Sequence, residues 1–278
     1  MVSESLARCL AKLCGDGHVS PKYLRYNNTC PVLLTEFEDD MAKEFGNIHF
    51  TKGNVNSGVP FAQVQKREII NFMLAHLTSF KSDDIHIPNL IKSSSLSVKI
   101  SFIRAFYDDE GSVALRFKKH PDEWKRSITL CSNSLQILLE IKEFLLSLGI
   151  RPNKIYRTKP ESHYDKSFIL SITGRNNFLL FREKIGFKHP KKAAVLNLLI
   201  ASYGATPIKS QVKCNEIKKK LNLCRSHCFK KGQLSGSPTR KCSTPRNVCV
   251  LNSLVDQVQI HSEIETGSGV PRSYDRPE

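Results

Sequence analysis

The chain has 278 residues, 40% of them apolar, with nine cysteines and a formal net charge of +16. That length accommodates one large or two modest domains, and so much positive charge points to a polyanionic partner. Nucleic acid is preferred to a membrane surface, because no apolar run is long enough to span a bilayer, and the polar segment after Met1, with Glu4, is no signal peptide. An intracellular, cytoplasmic and nucleoid-associated protein is therefore expected, with its cysteines reduced rather than paired.

In chain order, the first element is a helix read in "LAKLCGDGHVS", residues 10–20, which runs into an acid set between two glycines. Glycine is a common helix exit, but Asp16 carries the wrong charge for a helix C-terminus, so something other than local stability holds it there. A short β-prone run, "HVS", and then "RYNNT" (25–29) follow, leading into an amphipathic helix, "PVLLTEFEDDMAKEFG". Two β-prone segments around 47–52 and 60–65 precede a further helix, "KREIINFMLAHL".

The same order then repeats. "FIRAFYDDEGSV" (102–113) places Glu110-Gly111 where the first copy has Asp16-Gly17, with Ala105 matching Ala11. "SVALRF", "LCSNS", "LQILLEIKEFLLSLG", β-prone segments around 151–158 and 167–172, and "RNNFLLFREKIGF" follow. The pattern αββαββα, written twice, predicts an α+β fold of tandem pseudo-two-fold repeats over roughly 5–98 and 99–205. Alanines on the two leading helices allow close packing at a pseudo-axis, which would bring Asp16 and Glu110 together. Two carboxylates meeting in so basic a protein need a cation between them, and hard oxygen ligands select Mg²⁺, or less often Mn²⁺ or Ca²⁺.

These residues resemble a single-chain LAGLIDADG homing endonuclease, with motif copies "CLAKLCGDG" (9–17) and "IRAFYDDEG" (103–111). The resemblance implies a β-saddle over DNA and Asp16 and Glu110 as metal ligands. It implies outer catalytic groups at Lys66 and, by aligning Phe72 with Phe181, Arg175, with polar residues at Asn28 and Asn133 ordering water near the scissile phosphates. It also implies cleavage across the minor groove that leaves short 3′ overhangs. Lys12 and Cys14 depart from the motif, and the first hairpin is short, with 12 residues from Asp16 to Asn28 against 23 from Glu110 to Asn133. The family also occurs inside inteins; a chain running from Met1 to Glu278 without a terminal nucleophile or a His-Asn pair is not expected to splice itself.

Candidate base readers on the strands are Lys22, Arg25, Lys52, Asn54, Arg116, Lys118, Arg126, Arg157, Lys159 and Lys166. Residues 206–246 hold eleven Lys/Arg and one acid, whereas 247–278 hold two basic and five acidic residues. The expected organisation is a half-domain over 1–98, a second over 99–205, a small basic appendage over 206–246, and a disordered tail over 247–278. Within the appendage, "NEIKKKLNLCRSHCFKKGQL" resembles a helix-turn-helix with Arg225 on its recognition helix. Zinc on Cys224, Cys228, Cys242 and Cys249 is the lesser reading, since the spacings are not tight pairs, and an unfolded basic arm is a third. The function expected is Mg²⁺-dependent hydrolysis of both strands of a long DNA site, in intron homing, by a monomer with no organic cofactor. The alternatives are a non-cleaving DNA-binding transcriptional regulator of the same fold and an intron RNA maturase.

Overall fold

The computed structural model describes residues 2–77, 82–118, 123–158 and 167–203. The appendage and tail, with the four candidate zinc cysteines, and the candidate readers Lys159, Lys166 and Arg225 lie outside the described residues. The chain divides into compact units Met1–Leu196 and Asn197–Glu278, and the architecture below is that of the first.

The first repeat comprises α1 (Glu4–Cys14), β1 (Gly17–Val19), β2 (Leu24–Asn27), α2 (Pro31–Phe45), β3 (Thr51–Asn54), β4 (Pro60–Val64), α3 (Arg67–His76) and the single turn α4 (Asn89–Lys92). The second comprises α5 (Leu96–Glu110), β5 (Gly111–Lys118), β6 (Glu123–Ser132), α6 (Leu135–Ser147), β7 (Tyr156–Arg157), β8 (Phe168–Ile172) and α7 (Arg175–Lys184), and α8 (Pro190–Ala201) follows. The αββαββα order is thus present twice. β3 begins later than its β-prone stretch, and the expected division at 98/99 falls in the first turn of α5.

α1 starts at an N-cap: Ser3 Oγ accepts from the Leu6 amide at 3.0 Å, and Glu4 sits in the first turn. Its two faces are both buried, since Leu6, Ala7, Leu10, Ala11, Leu13 and Cys14 are all in the core. α1 packs along α5, where Ala105 is as fully buried as Ala11, and the two small side chains permit that approach.

Burying α1 from every side strands a charge. Lys12 is fully buried, and its ammonium donates to Glu36 of α2 at 2.7 Å and to the Leu33 carbonyl at 3.3 Å. Arg104 of α5 donates to the same Glu36 at 2.6 Å, while Arg8 pairs with Asp40. Burial pushes the Glu36 carboxyl up, but Lys12 and Arg104 outweigh it and leave it below its ordinary range. The motif departure at Lys12 is therefore part of an ionic joint between α1, α2 and α5. Such a joint is costly to break from one side, because the remaining charge would be buried alone.

Each repeat forms a four-stranded antiparallel sheet, ordered β1-β2-β4-β3 and β5-β6-β8-β7. Alternation gives each sheet a buried face, with Leu24, Tyr26, Ala62 and Val64 against α2, and Ile128, Leu130, Leu170 and Ile172 against α6. The opposite faces carry the cross-strand rows His18–Arg25–Gln63–Thr51 and Ser112–Thr129–Ser171. The first hairpin is short, as expected: β1 and β2 have 3 and 4 residues, against 8 and 10 in β5 and β6.

Candidate active site at the paired helix ends

The ends of α1 and α5 bring Asp16 and Glu110 into one cluster: Asn28 Nδ2 bonds to Asp16 Oδ2 and to Asp109 Oδ1, next to Glu110, and the charge of Asp16 raises the Glu110 carboxyl. Burial is the larger cause, and together they bring Glu110 up to about 7. Asp16 is also pushed up by burial and eased down by Lys192.

The glycines of the opening motif now have a reason. A Cβ on Gly17 would lie 2.3 Å from Leu13 Cα, and one on Gly111 would lie 2.4 Å from the Tyr107 carbonyl oxygen. Both strands fold back over the last helical turn, and only hydrogen fits there. Gly15 serves a different end: a Cβ would stand 3.0 Å from both Cβ and Oδ2 of Asp109. The first motif has no side chain where the second has an aspartate, and Asp109 takes that room.

Asp109 is a third acid of the site that the sequence reading passed over. Tyr26 donates its hydroxyl hydrogen to Asp109 Oδ1 at 2.6 Å, and Asn28 Nδ2 approaches the same oxygen at 3.1 Å. Asn28 Nδ2 also reaches Asp16 Oδ2 at 3.1 Å, so this buried amide joins the acids of the two motifs. Asp109 Oδ2 is sealed from solvent without a hydrogen-bond partner. Burial, then the neighbouring Asp16 charge, pushes the Asp109 carboxyl far up.

Lys192, on the first turn of α8, is the cation of the cluster. Its ammonium donates to the carbonyl oxygens of Tyr107, Asp108 and Asp109 at 3.3, 2.5 and 3.2 Å. Asp108 returns the favour, accepting from the Lys188 and His189 amides at 3.1 and 2.9 Å at the start of α8. Burial raises Asp108 to about 6 in spite of those two bonds. No sequence pattern announces Lys192, which lies outside both motifs.

Two expected equivalences shift by one residue. Gly17 pairs with Tyr26, and Gly111 with Leu130. Tyr26 thus corresponds to Leu130, and Asn28 to Ser132, not to Asn133. The local bonding agrees: Asn28 Oδ1 accepts from the Cys30 amide and Ser132 Oγ from the Ser134 amide, two residues on in each case. Asn133 is exposed and bonds to Ser82 and Ser167 instead. Likewise Tyr26 pairs with Ala62 and Leu130 with Leu170, so Lys66 corresponds to Gly174, and Arg175 to Arg67. The alignment of Phe72 with Phe181 misled, because Met73 is the buried counterpart of Phe181, whereas Phe72 is half-exposed. In a strand a slip of one residue exchanges the faces. Lys66 and Arg175 are both exposed, and neither pairs with another described residue.

The readers divide by strand parity. Arg25 lies on the free face, its guanidinium 5.3 Å from the Tyr23 ring centroid and 5.4 Å from that of Phe61. Lys22 is exposed in the β1–β2 turn. Arg116 lies in the free-face register opposite Lys125, which the sequence reading omitted, and Lys118 lies two residues further along the same strand. Arg126 instead shares the parity of Ile128 and Leu130. Lys52 pairs in register with Ala62 and turns to α2, where it meets Glu38 at 2.7 Å; Asn54 shares its parity. Arg157 lies in the row of Ser132 and Phe168, on the helix-side parity.

Among the described residues no three His, Cys, Asp or Glu side chains form a group that could hold a metal by themselves. The described cysteines Cys9, Cys14, Cys30 and Cys131 are free, and no described helix is long and apolar enough to cross a membrane.

Two repeats thus meet through alanine-bearing helices, each followed by an acid and a four-stranded antiparallel sheet. Residues 97–186, within the second repeat, match the family model of a LAGLIDADG-like domain. A probable translation initiation factor IF-2 from Thermococcus kodakarensis is 32% identical over 120 residues, covering 43% of this chain. The chain spans only 9% of that relative's length. Among solved structures, mesophilic variants of the homing endonuclease I-DmoI give a TM-score of 0.47 at 12% identity, over 66% of this chain and 95% of theirs. The homing endonuclease I-WcaI bound to its DNA recognition sequence gives 0.46 at 12%, over 69% and 87%. The N-terminal LAGLIDADG domain of DUF199/WhiA gives 0.42 at 12%, over 66% and 81%.

Proposed function

We propose that this chain is a divalent-metal-dependent endonuclease that hydrolyses both strands of a long duplex DNA site, as an intron-homing enzyme would. The observation that supports the reading is the meeting of the motif acids where α1 packs on α5, with Asn28 bonded to both Asp16 and Asp109, in a protein of net charge +16. A binder of polyanions has no use for clustered carboxylates at its centre unless a cation mediates.

The donor set fits a hard ion. Asp16 and Glu110 both offer carboxylate oxygens. Mg²⁺ is commonly held by one or two carboxylates and completed by substrate phosphates, so a preformed cage is not needed. When bound, such an ion supplies a nucleophilic water at neutral pH and stabilises charge on the leaving oxygen. The residues do the rest. Asn28 fixes the Asp16 carboxylate in place, Gly15 lets the two helix ends close, and Arg25, Arg116 and Lys125 offer cations from the free sheet faces to backbone or bases. Lys66 is the candidate for orienting the attacking water in one half.

A second reading, a DNA-binding regulator that does not cut, is favoured by one feature: the position corresponding to Lys66 in the second repeat is Gly174. Incubating the full chain with a randomised duplex library, with and without Mg²⁺, and sequencing the ends separates the two. Metal-dependent double-strand ends support the nuclease. Enrichment of bound but uncut sequences would establish the regulator instead.

A further inference from the structure

The acid cluster has a companion that the proposed chemistry does not use. Lys192 closes the last turn of α5 by donating to the Tyr107, Asp108 and Asp109 carbonyl oxygens, where the helix dipole favours a cation. Burial pulls the pKa of this ammonium down, and the charges of Asp108, Asp109, Asp16 and Glu110 work against that. Asp108 answers by capping the start of α8, so the end of α5 and the start of α8 hold one another. Among the described residues the first repeat has no such clamp: Cys14 stands at the motif position of Asp108, and α4 is a single turn.

We propose that Lys192 is a resident cation of the acid cluster, a positioning residue that fixes the last turn of α5 and offsets the carboxylates, so that its charge opposes the entry of a divalent ion. This inference rests on the reading of Asp16 and Glu110 as metal-binding groups. It accounts for three acids assembling on the chain alone. It also sets a threshold: a metal enters only when its attraction, helped by DNA phosphate, exceeds the repulsion from an ammonium fixed on the carbonyl oxygens of Tyr107, Asp108 and Asp109.

The test uses the full chain with Mn²⁺ alone, and Lys192→Met, Lys192→Gln and Lys192→Arg. Glutamine keeps a hydrogen-bond donor for the carbonyls but loses the charge; arginine keeps the charge. Mn²⁺ binding, followed by the loss of its free electron-spin resonance signal, should tighten roughly tenfold in the Met and Gln variants and stay at the wild-type value in Arg. In metal-free buffer the Met and Gln variants should unfold at lower temperature, and the loss should shrink when Glu110→Gln is also present, because one carboxylate fewer needs offsetting. Unchanged or weaker Mn²⁺ binding by folded Lys192→Gln overturns the inference and leaves the lysine a helix-capping group. If neither the wild-type chain nor the Met and Gln variants take up Mn²⁺, the metal-binding reading falls. The double-variant stability then decides the rest: strictly additive losses overturn the resident cation, and a reduced loss supports it.

Discussion

The two repeats share an element order and a sheet topology but not a chemistry. In the first, Asp16 is held by Asn28, and Tyr26 and Asn28 reach across to Asp109 of the second. In the second, Leu130 and Ser132 occupy the corresponding positions, and Glu110 has instead the Lys192–Asp108 clamp beside it. The first repeat thus lends polar side chains to the second motif's acid, and the second repeat is closed by a helix added after it. Duplicated elements specify the scaffold, while the residues that differ decide how each acid is held. The expectation that follows is an asymmetric site, in which the two strands of DNA are handled unequally.

The largest effect should come from the acids themselves. Asp16→Asn or Glu110→Gln should lower cleavage on the order of 10³-fold or more while leaving DNA affinity intact or tighter, measured by gel cleavage beside a binding isotherm. Undiminished cleavage by either variant would remove that residue from the chemistry.

Next, Lys66→Met should slow cutting of one strand by about 10²-fold, whereas Arg175→Met should leave both strand rates near wild type. Strand-specific end labels distinguish these outcomes. Equal losses from both variants would restore the symmetric arrangement and break the comparison.

Stability should follow the same asymmetry. Tyr26→Phe removes a hydrogen bond from a buried carboxylate and should cost about 1–3 kcal/mol in urea unfolding, while Asn133→Ala should stay within about 0.5 kcal/mol of wild type. Gly15→Ala crowds Asp109 and should cost about 1–3 kcal/mol, because Asp109 is hemmed in by the helix interface and cannot simply swing away. A neutral Gly15→Ala would mean that the two helix ends are looser than the 3.0 Å approach requires.

The smallest effect is one of pH. Burial, with help from Asp16, raises Glu110 from an ordinary 4.5 to about 7. Its folded value lies above its unfolded one, so its contribution to stability is full below the unfolded value and is lost as pH rises through about 7. The metal-free protein should therefore lose on the order of 1 kcal/mol between pH 5 and 7.5. Glu110→Gln should flatten part of that slope, the remainder belonging to Asp108, Asp109 and Asp16, which are raised as well. A stability that climbs over this range would show that the acids are paired or solvated rather than crowded.

Much of this was legible in the residues. Two apolar helices, each ending in an acid and a glycine and followed by matching β- and α-periodic segments, gave both the repeat and the pairing of Asp16 with Glu110. Helical and strand periods are local properties, written in consecutive side chains. Equivalence between the halves was less legible. Matching Asn28 to Asn133 by residue type, and Lys66 to Arg175 by the phenylalanines Phe72 and Phe181, is one position off in each case. Type is a poor guide there, because a strand's faces alternate at every residue, and only the pairing register says which side chain turns inward. The same parity takes Lys52, Arg126 and Arg157 off the free faces and puts Lys125 on one.

By itself, then, the sequence determined the fold class, the internal duplication, the positive charge and the two motif acids, all of which depend on composition or on neighbours along the chain. The tertiary structure alone decided that Asp109 fills the space Gly15 leaves, that buried Lys12 meets Glu36 and Arg104, and that Lys192 closes the end of α5. Each of these joins residues from different helices. A buried charge must find its partner wherever packing brings one, and that place is set by how the helices cross and not by spacing in the chain.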